Sequence, residues 1–283
     1  MSYTTLISAA DLAPLVASGD VVLFDCEFDL ANAAAGRATY LEGHLPGALY
    51  LHLDDDLSSA PSGTNGRHPL PDPSVFEAKM RAAGLKAGQQ VVAYDSAGGP
   101  YAARAWWLLR WLGHDAVAVL DGGKAAWVAA GQTIESGEPA TPAPGDFTAI
   151  APDPAATVSA DDVLANIDSK AGLVIDARTA ERWRGEPSPL DPVSGHIPGA
   201  GNRWFKDNLN TDGSFKSADA LASDWQAVIG DTASDALILQ CGSGVTACHN
   251  ALALEVAGLK GAKLYPGSWS EWISDPSRPV EKA

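Results

Sequence analysis

Cysteine is scarce in this chain: only three occur among 283 residues, at Cys26, Cys241 and Cys248. A small and odd number of cysteines does not support a disulfide framework. No CxxC pair is present, and the six histidines do not cluster with the cysteines at metal-ligand spacing. The sequence therefore predicts neither a disulfide-stapled fold nor a zinc site, and we expect no metal or other cofactor.

Positive charge and long apolar runs are also scarce. Lysine and arginine number 19 against 35 acidic residues, which gives a formal net charge of −16. Such a surface repels phosphate backbones, so we expect no nucleic-acid partner. No apolar stretch reaches about 18 residues, and the N-terminus has neither a basic segment nor a continuous apolar core. We therefore expect a cytoplasmic protein without a membrane span or a signal peptide.

What the chain does contain is an internal repeat. Four pairs of segments recur in the same order: GHLPGA at 43–48 with GHIPGA at 195–200, VVLFD at 21–25 with GLVID at 172–176, VVAYDSAGG at 91–99 with LILQCGSGV at 237–245, and GGKAAW at 122–127 with GSWSEW at 267–272. The offsets between partners drift only from 152 to 145 residues. Random matches would not keep this order, so the pattern indicates a duplicated domain.

A segment rich in proline, glycine, alanine and threonine separates the two copies. Most of residues 135–159 lack both a helical and a strand period, which is typical of an extended linker. We therefore predict a first domain at 1–135, a linker at 136–156 and a second domain at 157–283.

Each half alternates short apolar strands with amphipathic helices. In the second half, SADDVLANI begins with a serine N-cap, ADALASDWQAVIG is typical of a helix that ends at Gly230, and ALILQ is typical of a buried strand. The alternation predicts an α/β fold, with a mostly parallel sheet flanked by helices in each domain. Active sites in such sheets lie just beyond the carboxyl ends of the strands. Cys241 follows ALILQ at that position.

The loop CGSGVT, residues 241–246, connects this strand to the next helix. Gly242 and Gly244 permit backbone conformations that other residues avoid, so the loop can aim successive N–H groups at one point. The following helix adds the positive end of its dipole. A thiolate at Cys241 would be stabilised in this cradle and would be a ready nucleophile. The alternative is an inert cysteine packed under a glycine-containing turn.

The first copy of the repeat favours the reactive interpretation. Asp95 occupies the slot that Cys241 occupies in the second copy. We do not expect packing alone to accept either residue. The slot therefore indicates a solvent-reaching site that is active in one copy only.

The tandem domains, the GHIPGA box, the CGSGVTA loop and GSWSEW resemble the two-domain rhodanese-type sulfurtransferases over essentially the whole chain. The neutral Gly242 and Ser243 are most similar to the 3-mercaptopyruvate sulfurtransferases, since thiosulfate sulfurtransferases typically have basic residues directly after the cysteine. The resemblance implies two tandem rhodanese-like domains, the first without a catalytic cysteine. It also implies a cofactor-free double displacement. Cys241 would take sulfur from 3-mercaptopyruvate as a persulfide, release pyruvate and pass the sulfur to cyanide or to a thiol such as thioredoxin or glutathione.

The same resemblance implies a set of residues around Cys241. Arg182 matches the family's substrate-carboxylate arginine, and a guanidinium can hold a carboxylate bidentately. Ser243 matches a serine that forms a proton relay with a histidine and an aspartate of the first domain, here His68 and Asp54. Tyr101 matches a first-domain tyrosine of the site. The remaining substrate-binding positions belong to the loop: Gly242, Gly244, Val245 and Thr246.

Other interpretations stay open for several of these residues. Asp54 lies in a run of aspartates, which is usually a solvated turn, and His68 would then be an exposed loop side chain. Tyr101 would be a half-buried aromatic at a helix start. Thr246 can hydrogen-bond the cysteine sulfur, or cap the helix that begins there, or do both.

The chain departs from the family pattern in its arginines. Many mercaptopyruvate enzymes have a second arginine shortly after the Glu-Pro of this stretch, but GEPSPLDPVSGHIPG has none between Arg184 and Arg203. Either the substrate clamp is weaker, or Arg203 or Lys206 takes the second place. We expect Arg178 to pair with a nearby acid and Arg184 to be solvated.

Two other classes of protein are alternatives to an enzyme that transfers sulfur from mercaptopyruvate. A cysteine phosphatase needs an arginine that closes the loop, as in C-x5-R, but Ala247 stands six positions after Cys241. A silent rhodanese-like binding or sensing module is disfavoured by the intact CGSGVT, and a thiosulfate sulfurtransferase stays as the alternative enzyme. We expect structural roles for the other residues of these motifs: Cys26, His44, His196, Cys248, Trp269 and Trp272.

Overall fold

A computed structural model describes residues 2–283, which divide into two units that are discontinuous in sequence. Unit 1 comprises the chain up to Ser59, Pro71–Pro152 and Thr211–Phe215, whereas unit 2 comprises Ala60–Leu70, Asp153–Asn210 and Lys216–Ala283. The segment that carries His68 therefore belongs to the same unit as Cys241. Within residues 2–283, no helix is long and apolar enough to cross a bilayer.

Unit 1 is built on a five-stranded parallel sheet in the order β1-β5-β4-β2-β3. Its strands are β1 (Leu6–Ile7), β2 (Val21–Asp25), β3 (Leu49–Tyr50), β4 (Gln90–Tyr94) and β5 (Val117–Leu120). Its helices are α1 (Ala9–Ser18), α2 (Ala33–Glu42), α3 (Pro73–Ala82), α4 (Pro100–Trp111) and α5 (Gly123–Ala129).

Unit 2 is built on a four-stranded parallel sheet in the order β7-β6-β8-β9. Its strands are β6 (Leu173–Asp176), β7 (Gly201–Asn202), β8 (Leu237–Gln240) and β9 (Lys263–Leu264). Its helices are α6 (Ala160–Ser169), α7 (Ala180–Arg184), α8 (Ala218–Ile229), α9 (Thr246–Val256) and α10 (Ser268–Trp272).

The two sheets repeat one topology. The order β5-β4-β2-β3 of unit 1 corresponds strand for strand to β9-β8-β6-β7 of unit 2. Where β1 pairs with β5 in unit 1, Thr157 forms an isolated parallel bridge with Leu264 of β9 in unit 2. The prediction of two α/β domains, each with a parallel sheet flanked by helices, is confirmed.

Local sequence signals account for the elements that carry the candidate site. Ser159 is the N-cap of α6, as predicted: its hydroxyl accepts from the N–H of Asp162, and the Asp162 carboxylate accepts from the N–H of Ser159, which completes a capping box. Helix α8 ends at the predicted Gly230, which adopts a positive φ of 57°. All of Leu237–Gln240 is buried, because a strand of a parallel sheet covered by helices is apolar on both faces.

The paired histidines of the two GH(L/I)PGA boxes are core residues. His44 Nδ1 lies 2.9 Å from the carbonyl oxygen of Tyr40, and its ring stacks on that of Tyr40. His196 Nδ1 lies 2.7 Å from the carbonyl oxygen of Trp183, and its ring stacks on Trp183. Both histidines are buried, so the predicted structural role is confirmed. The same contact in each unit is a direct consequence of the duplication.

Candidate active site

Cys241 is the first residue after β8, and α9 begins at Thr246. The cysteine is 2 % exposed and Asp95, its counterpart in unit 1, is 1 % exposed, so the expectation that this slot reaches solvent is wrong in both units. Hydrogen bonds between Cys241 and the segment around α10 hold its backbone. Its N–H donates to Ser268 Oγ (3.1 Å), and its carbonyl accepts from the N–H of Trp269 (3.0 Å). The GSWSEW motif therefore fixes the position of the thiol. As expected, Trp269 and Trp272 are fully buried.

Ser268 adopts a strained conformation directly beneath the cysteine. Its φ is 54°, although it is not a glycine, and its side chain is fully buried. Its hydroxyl donates to the carbonyl of Tyr265 (2.9 Å) and accepts from the N–H of Cys241. Strained backbone of this kind persists where surrounding structure holds it, and it clusters at functional sites.

The loop after Cys241 folds around the sulfur. The N–H of Ser243 donates to Cys241 Sγ at 3.5 Å. Gly244 has a φ of 77°, and a Cβ there would lie 2.3 Å from the carbonyl oxygen of Pro266, so this position requires glycine. Val245 is the N-cap of α9, and no side chain caps this helix, so the alternative in which Thr246 caps α9 is wrong. The N–H groups at the start of an α-helix have no acceptor one turn earlier, and that of Cys248 donates to the carbonyl of Val245 at 3.0 Å instead.

Ser243 and His68 are brought together as the sequence predicts. Their Oγ and Nδ1 atoms lie 2.7 Å apart, and both residues are 6 % exposed. His68 is therefore a buried residue rather than an exposed loop side chain. The pair places a hydroxyl and an imidazole two residues from the thiol along the loop, which is the geometry that proton transfer requires.

Asp54 and Tyr101 lie in unit 1. Asp54 is exposed in the turn after β3, and partial burial is the main cause that raises the pKa of its carboxyl above the usual value. Tyr101 lies in the first turn of α4 with 8 % exposure, and its ring packs edge-on against Phe28 at 5.5 Å. It is thus buried rather than half-buried. The roles implied for Asp54 and Tyr101 stay predictions.

Arg182 reaches the cysteine loop from α7. Its Nε and Nη2 donate to Asp191 Oδ2 at 2.8 and 2.6 Å, and Asp191 is itself buried. A Cβ on Gly242 would lie 3.1 Å from Arg182 Nη2, so the guanidinium packs against the loop at the residue that follows Cys241. The absence of a side chain on Gly242 permits this approach.

The neighbouring arginines behave as predicted. Arg178 is buried, donates to Asp176 Oδ2 at 2.6 Å and lies 4.7 Å above the ring of Trp269. It is therefore a structural partner of an acid, as expected. Arg184 has a side chain that is 44 % exposed and pairs only loosely with acids at the surface, in agreement with a solvated residue.

The residues expected to replace a second substrate arginine are engaged elsewhere. Arg203 donates to Asn208 Oδ1 at 3.0 Å and lies 5.0 Å above the ring of Trp225, so its assignment to the clamp is wrong. Lys206 is exposed, with its ammonium 5.7 Å from the ring centre of Trp204. Binding of a substrate carboxylate therefore does not explain where the side chain of Arg203 or of Lys206 lies.

A different arginine, Arg67, lies over the cysteine loop, and sequence reasoning missed it. A Cβ on Gly242 would lie 2.8 Å from Arg67 Nη2. Its Nη1 donates to the carbonyl of Leu190 at 2.7 Å, and its backbone N–H donates to Ser270 Oγ at 3.0 Å. One signal could have found it: Arg67 directly precedes His68, in a chain that has few cations.

The cysteine loop of unit 2 brings together groups of several chemical kinds. A buried thiol, a serine–histidine pair and two guanidiniums meet at residues 241–246, at the carboxyl end of a parallel strand. Among residues 2–283, no group of three or more His, Cys, Asp or Glu side chains is arranged to hold a metal ion. The arrangement can hold a small anion beside a nucleophile and move a proton near it.

Comparisons with known proteins point in the same direction. The family model for a rhodanese-like domain matches twice, at residues 8–130 and 159–275. A probable 3-mercaptopyruvate sulfurtransferase of Pseudomonas aeruginosa is 46% identical over 282 residues, covering 99% of each chain. A putative thiosulfate sulfurtransferase of Mycobacterium tuberculosis, SseB, is 41% identical and covers 97% of this chain and 96% of its own.

Solved structures with this fold include two mercaptopyruvate enzymes. The 3-mercaptopyruvate sulfurtransferase of Leishmania major superposes with a TM-score of 0.86 at 31% identity, covering 98% of this chain and 75% of its own. SseA of Escherichia coli, described as a 3-mercaptopyruvate sulfotransferase, has a TM-score of 0.82 at 32% identity and covers 94% and 99%. These matches confirm the resemblance on which the sequence analysis relied.

Proposed function

The chain belongs to the rhodanese-type sulfurtransferases, and we propose that it moves sulfur from 3-mercaptopyruvate to a thiol or cyanide through a persulfide on Cys241. The observation that supports this function is the meeting of a buried thiol, a serine–histidine pair and two guanidiniums on one loop. The nucleophile is placed by β8 and by the N–H groups that surround it, and no cofactor is needed.

In the first half-reaction, the Cys241 thiolate attacks the sulfur atom of 3-mercaptopyruvate. The new S–S bond forms as the bond between sulfur and the substrate's C3 breaks, and the electron pair of that bond leaves with pyruvate as its enolate. The enolate takes up a proton at C3 and departs as pyruvate. The outer sulfur remains on Cys241 as the persulfide.

The loop is suited to hold the outer sulfur. The N–H of Ser243 already points at Cys241 Sγ, and the start of α9 presents backbone N–H groups that have no acceptor one turn earlier in the helix. Preorganised donors of this kind stabilise charge that develops during the reaction without any rearrangement. We assign the backbone of residues 242–246 to this role, with Gly242 and Gly244 required for its shape.

The hydroxyl of Ser243 and the imidazole of His68 would manage the proton. At 2.7 Å, the pair can pass a proton between the substrate region and the buried histidine ring. For Asp54, as the third member of this relay, and for Tyr101, the proposal rests on the family resemblance alone. Arg182 would hold the substrate carboxylate, since its guanidinium lies against the loop.

In the second half-reaction, a thiolate or cyanide attacks the outer sulfur and returns Cys241 as a thiolate. The products are a new persulfide or thiocyanate, so electrons balance without an external oxidant. Thioredoxin and glutathione are the proposed classes of thiol acceptor.

Thiosulfate is the second candidate donor. One relative carries the name of a thiosulfate sulfurtransferase, and two guanidiniums over the loop would also suit sulfonate oxygens. The ratio of kcat/KM for mercaptopyruvate to that for thiosulfate decides between the donors. We expect this ratio to exceed one.

The experiment that tests the function is intact-mass measurement after incubation with 3-mercaptopyruvate. We expect a gain of one sulfur atom with release of pyruvate, and we expect both to be abolished in Cys241→Ser. Cys248→Ser is the matched control, because that thiol is also buried in unit 2, in the first turn of α9, and its Sγ donates to the carbonyl of Gly244. Absence of an adduct with both mercaptopyruvate and thiosulfate would overturn the proposal.

A further inference from the structure

We propose that Ser268 is a positioning residue for the reaction at Cys241, because its hydroxyl holds the backbone N–H of the nucleophile in place. The inference rests on the proposed function and adds to it a residue outside the cysteine loop. Ser268 is the first residue of α10, and its side chain is fully buried. It cannot meet a substrate from solvent, so it acts on the reaction through Cys241.

The segment that contains Ser268 fixes the backbone of the cysteine loop at three points. The carbonyl of Cys241 accepts from the N–H of Trp269 at 3.0 Å, and the carbonyl of Gly242 accepts from the N–H of Ser270 at 2.9 Å. The third point is the N–H of Cys241, which donates to Ser268 Oγ at 3.1 Å. The first two bonds join backbone groups, which every residue type has. Only the third bond depends on the identity of a side chain.

The hydroxyl of Ser268 bonds two backbone groups at once. It donates to the carbonyl of Tyr265 at 2.9 Å and accepts from the N–H of Cys241. Since a hydroxyl has one proton to donate, the bond to Tyr265 directs the proton away from Cys241 and leaves a lone pair for its N–H. Without the hydroxyl, both buried backbone groups lose this partner, which costs free energy. The end of β8, and with it the sulfur of Cys241, would then be held less firmly.

The repeat provides a comparison for this position. The alignment of GGKAAW in unit 1 with GSWSEW in unit 2 places Gly123 opposite Ser268. Both residues have a left-handed backbone, with a φ of 57° at Gly123 and 54° at Ser268. In unit 1, a Cβ on Gly123 would lie 2.1 Å from the carbonyl oxygen of Asp95, so no side chain fits there. Unit 2 instead accommodates a serine in a conformation that only glycine adopts without cost.

The conformation of Ser268 indicates that its hydroxyl has a role. A left-handed backbone is unfavourable for serine because its Cβ comes close to the following carbonyl oxygen, and glycine would remove this cost. Such residues persist where the surrounding structure holds them, and they cluster at functional sites. What serine adds over glycine is the hydroxyl that binds the N–H of the nucleophile. Unit 1, which has Asp95 instead of a nucleophile in this slot, has glycine.

The competing explanation is that Ser268 only stabilises the fold by joining two strand ends. Cys241 follows β8 and Tyr265 follows β9, so the hydroxyl also serves that purpose. Two variants separate the explanations, because Ser268→Ala and Ser268→Gly both lose the hydroxyl but only glycine relieves the left-handed backbone. If Ser268 serves stability alone, activity follows stability and glycine restores it. If Ser268 positions the nucleophile, both variants lose activity equally.

The test measures kcat and KM for 3-mercaptopyruvate, the single-turnover rate of pyruvate release and the urea midpoint of each variant. We expect kcat and the single-turnover rate to fall by about 10-fold in both variants, less than the roughly 100-fold loss that a 1 Å misplacement of a reacting group can cause. KM should stay within a factor of about two of wild type, because the proposed carboxylate contact of Arg182 is kept. The urea midpoint of Ser268→Gly should lie above that of Ser268→Ala, since alanine at a positive φ is destabilising.

Ser274→Ala is the matched control for the loss of a serine hydroxyl near α10. Like Ser268, Ser274 donates its hydroxyl to the carbonyl of the residue three positions earlier, here Glu271, at 2.7 Å. Among residues 2–283, its hydroxyl has no bond to the cysteine loop. Its kcat and KM for mercaptopyruvate should therefore stay those of the wild type.

The outcomes distinguish this proposal from the proposed function. If the wild-type protein takes no sulfur from either mercaptopyruvate or thiosulfate, both fail. If the wild type takes sulfur and both Ser268 variants keep its kcat, only the role of Ser268 is overturned. A kcat that falls in Ser268→Ala and returns in Ser268→Gly would also overturn it, because activity would then follow stability. If Ser268→Ala does not fold, the kcat of Ser268→Gly decides alone.

Discussion

The loops after β4 and β8 are equivalent in the two units, but the residue at the centre of each loop differs. In unit 1, the carboxylate of Asp95 fills the loop and accepts four backbone N–H groups at 2.8–2.9 Å, those of Ala97, Gly99, Tyr101 and Ala102. In unit 2, Cys241 takes the same position, and the N–H of Ser243 points at its sulfur. One loop therefore carries its own anion, while the other is shaped to receive one.

The residues next to the two loops also differ in charge. At the position of Arg178, unit 1 has Glu27, and at the position of Gly242 it has Ser96, whose hydroxyl donates to Glu27. Burial raises the pKa of Asp95 to about 6, with Glu27 adding to the effect. An entering anion would thus meet an occupied loop and acidic neighbours in unit 1. The two units share the backbone topology of this loop, and a few side chains make the two loops differ in charge.

The largest effect is expected from transplanting the unit 1 residue into unit 2. In Cys241→Asp, the new carboxylate would accept the loop N–H groups as Asp95 does, so the fold should persist while sulfur transfer falls below detection. Pyruvate release and intact mass measure the loss, and the urea midpoint measures the stability. Unfolding of this variant would show that the two loops are not equivalent.

The next largest effect is expected from removing the His68 ring, which pairs with Ser243 of the unit 2 loop. His68→Gln keeps a polar side chain near Ser243 but removes the titratable ring, so we expect kcat for mercaptopyruvate to fall by about 100-fold or more. KM should change little, because the histidine handles a proton rather than the carboxylate. A kcat within twofold of wild type would remove His68 from the proposed relay.

A stability change of about 2–3 kcal/mol is expected from emptying the loop of unit 1. Asp95→Ala leaves the four N–H groups without their acceptor, and a buried donor left unsatisfied costs about 1–3 kcal/mol. Asp95→Asn, which keeps one acceptor oxygen, should lose less. Urea unfolding checks both variants, and an unchanged midpoint in Asp95→Ala would show that the carboxylate does not hold the loop.

The last expected effect is a pH dependence of stability that arises in unit 1. Burial raises the pKa of Asp25 from 3.8 to about 7, so the folded state binds a proton that the unfolded chain releases above about pH 4. This contribution to stability is complete below pH 4 and is lost as the pH rises through 7. Asp25→Asn should flatten the fall of the urea midpoint between pH 5 and pH 8, and an unchanged slope would contradict the assignment.

The fold and the position of Cys241 at a strand end were predictable because their signals are local or repeated. The serine at the start of α6, Gly230 at the end of α8 and the apolar β8 are each encoded within a few residues. The duplication added a second signal, since it paired Asp95 with Cys241 at the ends of equivalent strands. It did not show that both slots are buried, because the four N–H groups that hold the Asp95 carboxylate become visible only in the structure.

The arginines around Asp191, namely Arg67, Arg178 and Arg182, could not be predicted to lie together, because some of their contacts join distant parts of the chain. Arg67 and Leu190 are 123 residues apart, and no periodicity or spacing links them. Asp191 likewise gave no sign in SPLDPVSG that it would be buried among three arginines. Arg203 is near Arg182 in the sequence, but it packs on Trp225 instead.

By itself, the sequence determined the parallel α/β architecture, the duplication and the place of Cys241 at a strand end. These follow from short-range periodicity, glycine conformations and a repeat that can be read letter by letter. Only the tertiary structure decided that Ala60–Leu70 joins the unit of the cysteine, and that Arg67 and Arg182 share Asp191 over Gly242. The reason is physical: a guanidinium is held by whichever acceptors folding brings near it, and those acceptors lie far away along the chain.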